Sequence, residues 1–234
     1  CKIGRTERPV RTPSVVVIAG TDTGVGKTWV GCAMARALRR IGRQVLAVKP
    51  LETGCPGAPT ETEDGVALAR ATGQTQPAQA LLRLREPVAP SEAADREGQQ
   101  IDFDHLVRCV RRYRARADVT LVEGAGGLLS PLTWDRNAVD LALALEARVL
   151  LVSADRLGTI SHTLMAVKWL ELSGLEIAGV VLSAPARPDA STGSNAAAIS
   201  RVSGFSRVLA IPRAQPLEVT DHYVQGAVSW LDLE

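Results

Sequence analysis

The fold of this 234-residue chain can be predicted from one stretch, Gly20-Thr21-Asp22-Thr23-Gly24-Val25-Gly26-Lys27-Thr28. It lies between an apolar, β-branched run at 15–19 and a helix-compatible run at 29–40. Strand, glycine-rich turn and helix in this order predict a loop whose backbone N–H groups cradle phosphate. Lys27 would reach the outer phosphates, the Thr28 hydroxyl would ligate Mg²⁺, and the start of the helix would add a favourable dipole.

The loop is one residue longer than the common phosphate-binding form. The position that would hold the first glycine is Thr21, and Gly20 lies one residue earlier. The alternative is a glycine-rich turn between a strand and a helix that carries an incidental lysine. Because strand, turn, Lys-Thr pair and helix all agree, the sequence favours the phosphate loop.

Composition narrows the class of protein. The chain is 46% hydrophobic and carries 27 basic and 25 acidic residues, and only 3% of its residues are aromatic. This balance gives no reason to propose nucleic acid or a membrane as a partner. Four scattered cysteines and the absence of a secretory signal or a spanning apolar run lead us to expect a reduced, cytoplasmic protein. No boundary is visible, so we predict one domain over 1–234, with 1–14 as a loose lead-in.

Strands and helices alternate along the rest of the chain. We predict strands at 15–19, 44–49, 119–123, 149–153, 177–182 and 207–210. We predict helices at 27–41, 65–71, 101–116, 137–146, 159–172, 195–202 and 217–230, a loop at 51–62, and short helices and loops at 72–100. The alternation predicts a three-layer α/β fold of the P-loop NTPase type, with a mostly parallel sheet and helices on both faces.

Charged residues follow the predicted strands at the edge of the sheet where ligands bind in open α/β folds. Thr28, Asp64 and Glu123 would offer oxygens to Mg²⁺, and Lys27 and Lys49 would supply positive charge for ATP chemistry. Each has a simpler interpretation: Lys49 could end its strand in solvent, and Asp64 could complement a helix dipole. Glu123 ends an apolar strand, where an unpaired carboxylate is costly. Together they predict an ATP- and magnesium-dependent site.

Taken as a set, the motifs resemble the dethiobiotin synthetase family from about 15 to about 214. They are the long phosphate loop, Lys49-Pro50 with Thr53-Gly54, Glu123-Gly124-Ala125-Gly126-Gly127, and Leu157-Gly158-Thr159-Ile160-Ser161-His162. The resemblance implies a ligase that closes the ureido ring of dethiobiotin from 7,8-diaminopelargonate, CO2 and ATP, with Mg²⁺, in biotin biosynthesis. A carbamate of one amine would attack the γ-phosphate, and the second amine would close the ring on the resulting carbamic–phosphoric anhydride. The family also implies a homodimer in which the turn at 158–162 of one subunit helps to bind the substrate carboxylate of the other.

The resemblance assigns roles to individual residues. Catalytic roles fall on Lys49, Lys27 and Thr21, and metal binding falls on Thr28, Asp64 and Glu123. ATP binding falls on Gly24, Val25, Gly26, Lys27, Thr28, Trp29, Asp64, Glu123, Gly124, Ala125, Gly126 and Ser183, and on Pro212, Arg213 and Ala214 at the adenine. Substrate binding falls on Thr21, Lys49, Thr53, Gly158, Thr159 and Ser161. The chain departs from the family at Gly24, where an acidic residue is common, and at Ser183 and Ser161, where the family has asparagine.

Two other functions share parts of this pattern. A partitioning-type regulatory ATPase has the same fold and an unusual phosphate loop, but such proteins carry an extra lysine early in the loop. None lies between Gly20 and Gly26, and Glu123-Gly124-Ala125-Gly126-Gly127 has no role in such a switch. A ring- or amide-forming synthetase for a corrinoid substrate would carry a further glutaminase domain, for which 234 residues are too few.

Overall fold

The computed structural model describes residues 14–212 and 221–231. Within them the strands are β1 (Ser14–Gly20), β2 (Val45–Val48), β3 (Leu51–Glu52), β4 (Leu82–Arg83), β5 (Val119–Glu123), β6 (Arg148–Ala154), β7 (Ile177–Ser183) and β8 (Val208–Ile211). The helices are α1 (Lys27–Arg40), α2 (Asp64–Thr72), α3 (Pro90–Glu97), α4 (Phe103–Arg114), α5 (Ala138–Ala144), α6 (Thr159–Leu172), α7 (Asn195–Ser203) and α8 (Gln225–Ser229).

Six strands form one sheet in the order β2-β5-β1-β6-β7-β8. Every neighbouring pair in it is parallel. The apolar run that precedes the phosphate loop is therefore a central strand, because β1 pairs with β5 on one side and β6 on the other. The carboxyl ends of β1, β2 and β5 meet at one edge, which carries Gly20, Lys49 and Glu123. This arrangement confirms the predicted parallel α/β sheet.

Successive side chains of β1 pack on opposite faces of the sheet, as expected for a strand covered by helices on both faces. Val15, Val17 and Ala19 pack in a cluster that includes side chains of α4, α5, α6 and α7. Val16 and Ile18 pack in a second cluster with side chains of α1, α2 and α8. The sheet thus lies between two helical layers, and the three-layer prediction is confirmed.

A small two-stranded sheet was not predicted. Residues 51–62 were expected to form a loop and 72–100 short helices and loops, but β3 pairs in parallel with β4, with Glu52 opposite Arg83. The amide of Leu84 donates to the carbonyl of Glu52 over 2.9 Å. Strands of two residues are too short to display a period of alternation, so the sequence carries no pattern for them. The small sheet directs the chain that leaves Lys49 toward α2.

The last predicted helix is interrupted by a turn. Of the expected helix at 217–230, residues 217–220 lie outside the described residues, 221–223 are helical, and α8 follows after a turn at Val224. Val224, Ala227 and Leu231 are buried in the core beside α1. None of the helices in 14–212 and 221–231 is long and apolar enough to cross a membrane.

Candidate active site

The phosphate loop closes against the end of β7. Gly24 and Gly26 have φ angles of 74° and 98°, a backbone region that favours glycine. A Cβ on Gly26 would lie 2.6 Å from the Oγ of Ser183, so this position has no room for a side chain. Val25 between them is buried in the core on the α1 side of the sheet, which anchors the loop. The loop backbone is therefore free to face solvent and ligand.

Lys27 forms hydrogen bonds to both glycine-rich turns, the phosphate loop and the turn that follows Glu123. Its Nζ donates to the carbonyl of Asp22 over 3.1 Å and to the carbonyl of Gly126 over 2.7 Å. Burial lowers the pKa of Lys27, the charge of Lys49 lowers it further, and the nearby carboxylates oppose both effects. The ammonium lies at the mouth of the loop, where an incoming phosphate would meet it.

The three residues predicted to hold Mg²⁺ are brought together. The Oγ1 of Thr28 lies 2.6 Å from Oδ1 of Asp64 and 3.0 Å from Oε1 of Glu123. Thr28 comes from the first turn of α1, Asp64 from the first residue of α2, and Glu123 from the end of β5. Three separate elements thus place three oxygens at one point of the sheet edge.

Lys49 lies among the same oxygens. Its Nζ donates to Oε1 of Glu123 over 2.6 Å, to Oδ2 of Asp64 over 2.8 Å and to the carbonyl of Gly124 over 3.3 Å. Burial alone would lower the pKa of Lys49, but the charges of Glu123 and Asp64 outweigh it and raise this pKa. Lys49 therefore stays cationic at neutral pH.

The carboxylates respond differently to their surroundings. Burial raises the pKa of Glu123, although the Lys49 charge opposes the rise. Burial tends to raise the pKa of Asp64 as well, but the charge and hydrogen bonds of Lys49 outweigh burial, so the pKa of Asp64 is lowered. Lys49 thus lies between two acids whose pKa values shift in opposite directions.

A divalent cation fits this cluster. Oε2 of Glu123 is buried and has no hydrogen-bond partner among the described residues. Buried carboxylate oxygens are costly unless paired or bound to a metal. Hydroxyl and carboxylate oxygens are the ligands that Mg²⁺ prefers, and it is bound through few protein groups beside phosphate oxygens. The donor set and the unpartnered oxygen together match a magnesium site.

A cavity of about 840 Å³ opens over the cluster. It extends from the phosphate loop between α1 and α2. The predicted site residues that line it are Gly24, Gly26, Lys27, Thr28, Trp29, Lys49, Thr53, Asp64, Glu123, Ala125 and Gly126. Gly124 lies behind this surface, and its amide donates to the carbonyl of Ile18 over 3.1 Å. Most of the predicted ATP and metal residues thus share one cavity.

A row of hydroxyl groups connects the phosphate loop to the start of α6. Oγ1 of Thr21 lies 2.8 Å from Oγ of Ser153, which lies 2.7 Å from Oγ1 of Thr159. Gly158 caps α6 with a φ of 91°, and Ser161 is exposed in its first turn. Ser153 was not among the predicted site residues, although its place at the end of a buried strand could have indicated it.

A second cavity of about 610 Å³ lies beyond the ends of β7 and β8. Pro212, predicted at the adenine, lines it together with Ala184, Pro185 and Ile211. Ser183 packs against Gly26 instead, one residue before this lining, and its contact with a base stays a prediction. The other two predicted adenine residues, Arg213 and Ala214, lie outside the described residues.

Known proteins are similar in sequence to this chain over most of its length. A family model described as an AAA domain matches residues 14–220. The ATP-dependent dethiobiotin synthetase of Anaeromyxobacter dehalogenans strain 2CP-1 is 41% identical over 189 residues, which are 79% of this chain and 83% of the relative. The ATP-dependent dethiobiotin synthetase of Rhodococcus erythropolis strain PR4 is 38% identical over 219 residues, which are 92% of this chain and 95% of the relative.

Solved structures agree in fold at much lower identity. The septum site-determining protein MinD of Pyrococcus horikoshii, complexed with Mg-ADP, superposes with a TM-score of 0.54 at 19% identity, covering 94% of this chain and 93% of MinD. A ParA family ATPase from Chlorobium tepidum has a TM-score of 0.54 at 15% identity and covers 93% of this chain and 92% of its own. At such identities the likeness concerns the fold alone. The sequence relatives decide the family: this chain belongs to the ATP-dependent dethiobiotin synthetases.

Proposed function

We propose that this chain closes the ureido ring of dethiobiotin from 7,8-diaminopelargonate, CO2 and ATP. One amine of the substrate adds to CO2 and forms a carbamate. A carbamate oxygen then bonds to the γ-phosphorus, the bond from that phosphorus to ADP breaks, and a carbamic–phosphoric anhydride forms. The second amine attacks the carbonyl carbon, the ring closes, and phosphate leaves. The observation that carries this proposal is the meeting of Lys49 with Thr28, Asp64 and Glu123 at the mouth of the phosphate loop.

The side chains of this site have separate tasks. The loop amides and Lys27 hold the ATP phosphates, since Lys27 already lies between two carbonyl oxygens at the loop mouth. Lys49 stabilises the negative charge that develops on the transferring phosphoryl group. Mg²⁺, held by Thr28, Asp64 and Glu123, would neutralise phosphate charge when bound. Phosphoryl transfer needs mainly such positioning and electrostatic stabilisation.

The diamine has a place beside these groups. Thr53 lines the same cavity as Lys49, and the partly exposed Thr21 is held by the buried hydroxyl of Ser153, which contacts that of Thr159. Hydroxyls accept from amines and donate to carbamate oxygens, so Thr53 and Thr21 suit both nitrogen and oxygen atoms of the substrate. The second cavity, lined mostly by alanine, proline and isoleucine with a few polar groups such as Asp155 and Thr192, suits the base of the nucleotide.

An exposed apolar face supports the dimer that the family resemblance implies. On α6, Met165, Trp169 and Leu172 are 61%, 48% and 72% exposed and lie on one side of the helix. Leu157, just before the helix, is also exposed. Contiguous exposed apolar side chains of this size mark interaction surfaces. We infer that a second copy of the chain covers this face, which brings the turn at 158–162 to the substrate site of the partner.

The origin of the oxygen atoms in phosphate tests the reaction. The enzyme is incubated in ordinary water with ATP, the diamine and ¹⁸O-labelled bicarbonate, and phosphate is sampled early, before the label exchanges with solvent. If a carbamate attacks the γ-phosphorus, one labelled oxygen leaves in each phosphate, and labelling depends on the diamine. Unlabelled phosphate released at the same rate without diamine would reject the proposal, because water would then be the nucleophile, as in a switch ATPase.

A further inference from the structure

Glu52 is a buried carboxylate that the reaction as proposed does not use. It lies on β3, and its two oxygens accept hydrogen bonds from the backbone amides of Asp64 over 2.6 Å and Gly65 over 2.9 Å. These amides are the first two of α2. The first amides of a helix have no partner within it and need an acceptor from elsewhere. Glu52 thus caps the helix whose first residue is the proposed metal ligand Asp64.

The residue at the usual capping position does not perform this task. Glu63 is the N-cap of α2, yet its side chain makes no capping hydrogen bond to the helix. Its oxygens instead accept from Nε and NH2 of Arg83 over 2.8 Å and 2.7 Å. Glu52 and Arg83 are register partners in the small sheet. One strand pair therefore contacts both the N-cap residue of α2 and its first two amides.

The start of α2 is also pressed against the chain that precedes β4. A Cβ on Gly65 would lie 2.3 Å from the backbone nitrogen of Ala80, so only glycine allows this approach. With its amide held by Glu52 and its neighbour packed on Ala80, Asp64 presents its carboxylate to Thr28 over 2.6 Å and to Lys49 over 2.8 Å. The position of the Asp64 carboxylate therefore depends on Glu52 and on the packing of Gly65 against Ala80.

The cluster around Glu52 has another interpretation. Ligand atoms of Glu52, Cys55 and Glu63 lie within 4.8 Å of one another, which is close enough for a metal ion. However, the Glu52 oxygens already accept from two amides and the Glu63 oxygens from Arg83. This engagement favours a supporting role over a second metal site.

We propose that Glu52 is a positioning residue, which fixes Asp64 for magnesium binding through the backbone of α2. This inference rests on the magnesium site of the proposed function. Groups that hold metal ligands from behind typically change metal affinity or activity about 10- to 100-fold when they are replaced. In the Glu52→Gln variant one acceptor oxygen becomes an NH2 donor that faces a backbone amide, so Asp64 loses part of its support.

The test measures nucleotide binding, which does not require turnover. Titration calorimetry of ADP at increasing Mg²⁺ gives the magnesium concentration at which half of the gain in ADP affinity is reached. We expect this concentration to rise about 10-fold or more in Glu52→Gln. In steady-state assays the same shift in magnesium dependence should appear, with little change in KM for the diamine.

Glu97→Gln is the matched control. Glu97 lies at the end of α3, where its Oε1 accepts from the backbone amides of Arg85 and Glu86 and its Oε2 from the side chains of Arg85 and Gln99, so glutamine places an NH2 group against donors here as well. It should lose a similar amount of thermal stability and keep the magnesium dependence of the unaltered protein. If Glu52→Gln does not fold, Arg83→Lys, which loses the paired contact with Glu63, serves in its place and should also raise the magnesium requirement.

Three results would overturn the inference. Unchanged magnesium dependence in the variants of Glu52 and Arg83 would show that Asp64 does not need this support. An equal shift in Glu97→Gln would show that the effect follows general loss of stability. Independence of ADP affinity from Mg²⁺ in the unaltered protein would reject the magnesium site itself, and the positioning role with it.

Discussion

The ammonium of Lys49 lies 2.6 Å from the carboxylate of Glu123, and the two side chains form an ion pair that is almost closed to solvent. Lys49 is 3% exposed and Glu123 1%. Desolvation of both charges is costly and is offset by their attraction and by further hydrogen bonds to Lys49. The pair therefore carries a cost in stability that apolar side chains would not incur.

Lys49→Ala should lower kcat about 100- to 1000-fold, because the transferring phosphoryl group loses one stabilising charge. The measurement is ADP release at saturating ATP, diamine and bicarbonate. Arg112→Ala is the control, since Arg112 is an exposed basic residue of α4, away from the site and from the exposed face of α6. Retention of most of the activity in the folded Lys49 variant would remove this residue from the mechanism.

The same substitution should also destabilise the protein by about 3–5 kcal/mol, because it leaves a buried carboxylate without its partner. Combining it with Glu123→Gln removes the orphaned charge and should recover part of the loss in urea unfolding, but none of the turnover. Equal unfolding free energies for Lys49→Ala and the unaltered protein would mean that the pair contributes nothing to folding.

Gly26→Ala should abolish tight ATP binding. The new methyl group would lie 2.6 Å from Oγ of Ser183, and the φ of 98° adds strain, so the loop must change shape. Gly42→Ala is the control, because Gly42 also has a positive φ, but a Cβ there would meet no atom within 4 Å. Equilibrium binding of ADP distinguishes the two variants, and equal affinities would contradict the close fit of the loop.

Light scattering should give a solution mass of about twice the 24.8 kDa of one chain. Trp169→Arg should shift the mass to that of one chain and lower the affinity for the diamine, because the partner no longer completes the substrate site. Ile41→Arg, which places the same charge on an exposed side chain after α1, should remain dimeric. A fully active monomer would exclude a shared substrate site.

Cys32 and Cys55 should react slowly with iodoacetamide at pH 8. Burial raises the pKa of the Cys32 thiol to about 12 and that of the Cys55 thiol to about 11, and nearby carboxylates add to both shifts. The reactive thiolate is therefore scarce until the pH approaches these values. Peptide mapping after brief labelling should show both cysteines labelled faster in urea than in the native protein, and equal rates would contradict the raised pKa values of these thiols.

The central fold could be predicted because its sequence patterns are long. The apolar run of β1 and the glycine loop fixed one strand, one turn and one helix, and the alternation after them gave the parallel sheet. The family assignment from the motifs was likewise confirmed by the relatives. Helix ends were less accurate: α4 begins at Phe103, not at 101, because Asp102 accepts from the amide of His105 and so caps the helix.

Two parts of the site could not be predicted in the same way. The oxygens of Thr28, Asp64 and Glu123 were expected together because strand ends and a motif indicate them. Glu52 has no such pattern, because its partners are backbone amides, which every residue except proline carries. Ser153 is hydrogen-bonded to Thr21, which is distant in sequence. Only the register of β6 beside β1 brings the two hydroxyls together.

The hydroxyl row from Thr21 through Ser153 to Thr159 has a directional property. Each hydroxyl has one proton and can both donate and accept, so Ser153 donates to one neighbour and accepts from the other, or accepts from both. When Ser153 donates to Thr21, the Thr21 proton is left for a group beside the phosphate loop. When Thr21 donates to Ser153 instead, it offers that group only lone pairs. The proton of one buried serine thus decides whether Thr21 is a donor or an acceptor toward a ligand.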